Sequence, residues 1–357
     1  MAEASFNIQG VQNLTTLTTE VTTTAVVSAS VGLYVSLVVR DFFLTFNMLV
    51  CGNIIGVLGI CGNIINIIVF NKQGYEDSVN ITLTALAVSD IGALITLIIF
   101  NVMINPVFEK ANLPMIPVDV ASMAGFYPHN YFIRVCGLIT AFASCERCLC
   151  VLVPLKVKQI VTKKVSVLVN VLIFIIMLLD LFPVYYVVYL DWMFVPGLNK
   201  TVVAASFRKN LHAVFGISYI VTDLFAPYFT FFVIIFSNIT IGLKLNLRSK
   251  WIQSVSQKPS NKEKFVSNKE KKVVLMLTVV SVIFIVCLIP QSAILTAVSQ
   301  LSELAVRGVY FDVALVCYSI SYLMEAVCSS VNILVYYKMS SRYRNTIHGM
   351  CIINDSH

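Results

Sequence analysis

The stretch KKVVLMLTVVSVIFIVCLIPQSAILTAVSQ, residues 271–300, opens on two lysines and then runs 28 residues without a charged side chain. A helix needs about 20 apolar residues to cross the hydrocarbon of a bilayer, so this one is long enough to span it. Pro290 lies inside the stretch. In water it would end a helix, but in a membrane neighbouring helices satisfy the carbonyl it frees. Outward from this segment the same pattern recurs. Helices are expected at 43–70, 81–104, 119–153, 165–190, 211–247, 271–300 and 309–337, with an amphipathic stretch at 338–350. The fold class is an all-α membrane protein: a seven-transmembrane helix bundle with a short amphipathic cytoplasmic helix after the seventh span. Composition agrees, since 58% of the chain is hydrophobic and 12% charged, where soluble domains carry about 25% charge.

Orientation follows from the loops. Seventeen Lys and Arg residues fall in the segments on one side, nine of them between Lys244 and Lys272, against six on the other. The positive-inside rule places the N-terminus outside and the tail in the cytoplasm of a plasma-membrane protein. The chain then divides into an extracellular segment (1–42), a membrane domain (43–337) and a cytoplasmic helix and tail (338–357). Residues 25–39, interrupted by serines and closed by Arg40 and Asp41, read as a lead-in to the first span. Two glycosylation sequons, at Asn13 and Asn199, lie on the outer side. The net charge of +7 reflects the internal loops. It points to membrane lipid as the partner, with no nucleic acid.

Nine cysteines fall inside predicted spans and none in an external loop, so no external disulfide is expected. Cys145, Cys148 and Cys150 have metal-like spacing but sit on an apolar helix with no histidine nearby; neither a metal nor a cofactor is expected. Cys351, beyond the amphipathic stretch, is a candidate for palmitoylation, with a plain free thiol as the alternative.

Polar groups inside spans are costly and therefore informative. Span one has Gly62-Asn63, span two Leu86-Ala87-Val88-Ser89-Asp90, and span three ends Glu146-Arg147-Cys148 with Pro154 seven residues after the arginine. Span six carries Phe284, Cys287 and Pro290 as F-x-x-C-x-x-P, and span seven ends Asn332-Ile333-Leu334-Val335-Tyr336. Singly these are weak signals. In this joint order the chain resembles the rhodopsin-like (class A) G-protein-coupled receptors. Lys72-Gln73-Gly74, Asp77 to Ile81, and Glu146 to Cys150 through Pro154 to Lys158 look most like the molluscan chemosensory-receptor group.

The resemblance implies a receptor for an extracellular small polar chemical or peptide, coupled to a heterotrimeric G protein, and not an enzyme. Glu146 and Arg147 occupy the places of the acid–arginine pair that holds the resting state. Glu270, twenty residues before Pro290, occupies the place of an inner latch to that arginine. Phe284, Leu288, Pro290, Pro154, Asn332 and Tyr336 fall at switch positions, although the family's tryptophan is here Leu288 and its span-seven proline is Ile333. Asn63, Asp90, Ser329 and Asn332 match a buried polar cluster that often holds sodium. Two positions of the sodium shell are Cys136 and Cys328, poor ligands for a hard cation that prefers oxygen. The cysteine that the family ties to its second external loop falls on Ser122.

The implied pocket contains His129, Asn130, Arg134, Asp223 and Glu325. Arg134 lies about 22 Å along its helix from residue 119, beyond easy reach of water, and needs a partner. Asp223 is expected opposite it, with Glu325 left for His129 or a ligand amine. An internal salt-bridge network that only orders the helices is the plainer alternative. So is a transporter or channel using Asp90, Asp223 and Glu325 as an ion or proton path, though the chain shows no internal repeat. An N-terminal epitope should be labelled on intact cells and a C-terminal one only after permeabilisation; a tail labelled on intact cells reverses the orientation.

Overall fold

A computed structural model describes residues 36–105, 108, 111–195, 199–254, 261–304 and 308–354, with backbone alone at 155, 158, 212, 248–254, 261–272 and 351–354. Among them seven helices are long and apolar enough to cross a membrane. In order, these spans are Leu37–Gln73, Ser78–Met103, Pro117–Leu152, Lys163–Val187, Ala213–Leu247, Val273–Gln300 and Phe311–Met339. The third packs against the second, fourth, fifth and sixth, and the seventh closes the bundle onto the first. The fourth is peripheral, with Leu179 and Phe182 exposed over 67% and 71% of their surface. Side chains of that kind face lipid, whose tails are as apolar as leucine.

Local chemistry sets the helix ends. The first helix begins at Leu37, six residues before the expected start at 43, while most of the lead-in lies outside the described residues. Ser36 Oγ accepts from the Val39 N–H at 3.3 Å and caps the helix. Arg40 then bridges Asp41 at 2.8 Å and Asp312 of the seventh span at 2.9 Å, which ties the extra turns to the bundle. Gly74 ends the first span at φ 80°, a conformation that suits glycine. Asp77 caps the second by accepting from Val79 N–H.

The fourth helix was expected to continue to 190 but stops at Val187. The chain turns there into an antiparallel hairpin of β1 (Val188–Val195) and β2 (Lys200–Phe207), with Trp192 opposite Val203. Two runs rich in β-branched and aromatic residues around Pro196-Gly197 were the available signal. Hydropathy hides it, because such strands are as apolar as the helix before them. Asn199 sits at the tip with φ 47°, which asparagine tolerates better than most residues.

No disulfide holds the hairpin among the described residues: none of the nine cysteines whose side chains are described is in one. Ser122 instead donates to the Val118 carbonyl of its own helix. β2 is gripped by the loop before the third span: Val203 N–H donates to Pro114 O at 2.9 Å and Ile116 N–H to Val203 O at 2.8 Å. Asp119 Oδ2 accepts from Ala205 N–H at 2.8 Å, and Lys200 Nζ donates to Leu113 O at 2.9 Å. Beneath them Met123, Val187, Val188 and Leu211 form a small apolar cluster.

At the opposite end, Ser340 breaks the seventh helix and its Oγ accepts from Tyr343 N–H at 3.2 Å. The tail helix Ser341–Asn354 follows. Tyr343, 1% exposed, donates its hydroxyl to Asn66 Oδ1 at 2.5 Å, and burial pushes that phenol above its usual range, so it stays a donor. The carboxylate of Asp119 makes the anchor most open to test. Asp119→Ala removes a charge-assisted bond of about 1.5–3 kcal/mol, and a melting temperature several degrees lower is expected in nanodiscs. A thiol reductant should leave the wild-type midpoint unmoved; a drop on reduction would mean that a covalent tie holds this end.

Candidate functional site

Two buried ion pairs lie between the third span and its neighbours. Arg134 Nη2 and Asp223 Oδ1 are 2.6 Å apart, with side-chain exposures of 7% and 27%, so the two residues expected to face each other do. The span-five backbone helps position the acid. A π-helical turn, Tyr219–Phe225, ends two residues before Pro227, where the missing N–H interrupts ordinary helical bonding. Asp180 of the fourth span lies within electrostatic reach of both partners. No motif in the sequence marks Asp180, which sits near the end of an otherwise apolar span.

His129 Nε2 and Glu325 Oε2 are 2.8 Å apart and both side chains are 2% exposed. His129 Nδ1 stands 2.9 Å from the Ala93 carbonyl. A carbonyl only accepts, so Nδ1 carries a hydrogen and the Nε2–Oε2 contact contains one shared proton. The pair is either imidazolium–carboxylate or neutral on both sides, and in both forms its net charge is zero. Of the two partners expected for Glu325, His129 or a ligand amine, the structure shows His129.

Arg134 and Glu325 line a cavity of about 20 Å³ together with Gly137, Pro227, Phe284, Leu288 and Gln291. Roughly one water fits a space of that size. Arg134 Nε and Gln291 Oε1, one donor and one acceptor, are buried without a hydrogen-bond partner among the described residues. Gln291 was not singled out in the sequence, because an amide one residue after Pro290 has no motif to mark it. Asp223 and His129 hold the two ionisable lining residues, Arg134 and Glu325. Asn130 is not among the residues lining this cavity, and its Nδ2 donates to Phe126 O one turn back on its own helix.

Below the cavity the polar cluster is knit from donors. Asn332 Nδ2 donates to Asp90 Oδ2 at 2.8 Å and Cys136 Sγ to Asp90 Oδ1 at 3.3 Å. Asn63 Nδ2 donates to the Ser329 carbonyl at 2.7 Å and accepts from Asn66, which accepts in turn from Tyr343. Sodium would need oxygens turned toward it. Asp90 is instead met by the Asn332 N–H, the Cys136 S–H and the Ser329 hydroxyl, and with sulfur at two of the shell positions this set does not fit the ion.

At the far end of the third span Glu146, 1% exposed, accepts from Thr82 and from Ser166, each at 3.3 Å. No ion pair joins it to Arg147 among the described residues, which corrects the expectation of a paired acid and arginine. Adjacent helical residues do not share a face, and the two hydroxyls take the carboxylate. Arg147 Nε is buried without a partner among those residues. Pro154 opens the short helix Pro154–Ile160. Glu270 lies on the helix Asn261–Gln300, but its side chain is outside the described atoms, as are Asn13 and the side chain of Cys351. Tyr336 packs edge-on to Phe70 at 5.5 Å and beside Tyr343 at 5.8 Å.

Residues 62–336 match the 7 transmembrane receptor (rhodopsin family) model, which covers most of the chain. The chain belongs to the rhodopsin family. As a member of this non-enzymatic class of signalling receptors it is a G-protein-coupled, multi-pass membrane protein. No curated protein matches the receptor. The ion pair gives the receptor a direct test. Removing one member of a buried pair costs about 3–5 kcal/mol, and partly exposed Asp223 lies at the low end. Arg134→Ala and Asp223→Ala should each reduce surface expression, and the R134D/D223R exchange should recover part of the loss. An exchange no better than either single change would show that the pair contributes nothing.

Proposed function

We propose that the receptor detects a small polar chemical or a peptide end from outside the cell and passes the signal to a heterotrimeric G protein, in a chemosensory role of the molluscan kind. The observation that carries this reading is the 20 Å³ cavity between spans three, five, six and seven, where buried Arg134 Nε and Gln291 Oε1 still need partners. A ligand that supplies an acceptor and a donor together would satisfy both, in place of the single water that fits there. Glu325 and Arg134 would orient it, with His129 and Asp223 behind them.

In this reading the hairpin end faces outward, the tail helix inward, and the receptor works at the plasma membrane. Asn199 stands exposed at the hairpin tip, where a glycan has room; Asn13 would carry the other. The division into 1–42, 43–337 and 338–357 then becomes outer segment, receptor domain and inner tail, with the first helix starting earlier than that division allows. Cys351 near the end of the tail helix would take a palmitoyl chain.

Arg147 would meet the G protein. Phe284 and Leu288 line the cavity, so a ligand that widens it must displace them, and Pro290, two residues after Leu288, gives span six its hinge. Movement there reaches Asn332 and Tyr336 through the packed seventh span. The transporter alternative fits less well, because Asp90, Asp223 and Glu325 are each committed to a different partner.

The test expresses the receptor with promiscuous G proteins and applies small polar chemicals and short peptides. Arg147→Ala should reduce nucleotide exchange to the level of mock cells with surface expression and ligand binding retained, and normal exchange in that variant would reject the mechanism. Glu270→Ala should raise basal signalling about fivefold if the latch contributes about 1 kcal/mol to the resting state. An unchanged basal level would remove the latch.

A further inference from the structure

The hairpin leaves one strand uncovered. β1 presents Tyr189, Leu190, Trp192, Met193 and Phe194 at exposures from 39% to 63%. Strand alternation places Leu190, Trp192 and Phe194 on one face and Tyr189 and Met193 on the other, so both faces are open. β2 is occupied by β1 on one side and by the 114–116 loop on the other. β1 is therefore an outer strand. An apolar edge of this length in water is an aggregation site, and natural proteins cover such edges.

Geometry identifies the cover. The fourth span runs from Lys163 to Val187, about 36 Å at a rise of about 1.5 Å per residue. The hydrocarbon layer is about 30 Å thick and the bilayer with its headgroups about 40–45 Å. With Lys163 and Lys164 at one headgroup layer, Val187 reaches the other, and β1 begins there. It continues the exposed row of Leu179, Phe182 and Tyr186 that already faces lipid. Tryptophan and tyrosine favour this depth. A cation is in place as well: the Arg208 guanidinium sits 4.6 Å from the Tyr186 ring centre and 5.4 Å from that of Tyr189, with Lys209 exposed beside it. Asp191 is turned back on its own strand, accepting from Trp192 N–H at 2.8 Å.

We infer that β1 lies in the headgroup layer of the bilayer as an interfacial anchor, with Trp192, Leu190 and Phe194 at the acyl boundary and Arg208 on a phospholipid phosphate. The hairpin is then held on two sides, by the 114–116 loop through β2 and by lipid through β1.

The chain has two tryptophans, so W251F leaves Trp192 as the single reporter in the full-length protein. It is placed in nanodiscs of phosphatidylcholine brominated either just below the headgroups or near the chain ends. Loss of Trp192 emission with the shallow bromines, weaker loss with the deep ones and little loss with aqueous acrylamide is the expected result. Adding R208E should reduce the shallow quenching, and quenching unaltered by that change overturns the phosphate contact. Emission quenched by acrylamide and untouched by bromine places β1 in water and overturns the inference. Emission protected from both means that protein covers the strand, a second copy of the chain being one such cover, and overturns it equally.

Discussion

Inside a bilayer an ion has no water to turn to, and this constraint arranges the centre of the receptor. Arg134 cannot reach the surface, so it takes Asp223 at 2.6 Å. His129 and Glu325, each almost wholly buried, take one another. Both contacts join the third span to a neighbour, one to the fifth and one to the seventh. Replacing such pairs by well-packed apolar residues often leaves stability unchanged or higher, so their presence is better explained by what they position. They fix the walls of a cavity in which Arg134 Nε and Gln291 Oε1 are unmatched among the described residues.

A second series of contacts runs from that region toward the tail. Asp90 holds Asn332 of the seventh span, one turn from Ser329, whose carbonyl accepts from Asn63. Asn63 accepts from Asn66, and Asn66 from Tyr343. Each link crosses between helices or stays within one turn, so spans one, two and seven and the tail helix share a connected set of hydrogen bonds. Fully satisfied networks of this kind rigidify their surroundings. The hydrogen-bonded set thus ties spans one, two and seven together, while Arg134 Nε and Gln291 Oε1 at the cavity stay unmatched among the described residues.

What could be read in the sequence follows from what leaves a periodic or costly mark. Twenty or more apolar residues have one meaning, so the seven spans were legible. So was the Arg134–Asp223 pair, because an arginine that deep has few solutions. The hairpin was not, since β1 is as hydrophobic as the helix it follows and hydropathy cannot tell strand from span. The early start of the first helix escaped for a different reason: it rests on Arg40 meeting Asp312, two residues 272 positions apart. Glu146 turned to Thr82 and Ser166 likewise depends on which face of the helix meets which neighbour. Motif order does not carry that information. Gln291 and Asp180 have polar roles set by position alone.

The small size of the cavity bears on time as well as on shape. A space of about 20 Å³ excludes every solute larger than water until the surrounding spans part, and such motions take microseconds to milliseconds. For a larger molecule proposed to bind there, the observed association rate then reports how often the bundle opens, and saturates with concentration once opening is limiting. Escape requires the same opening. Residence is then set by the closed bundle as much as by the contacts inside it, and two molecules of equal affinity can differ widely in how long they stay.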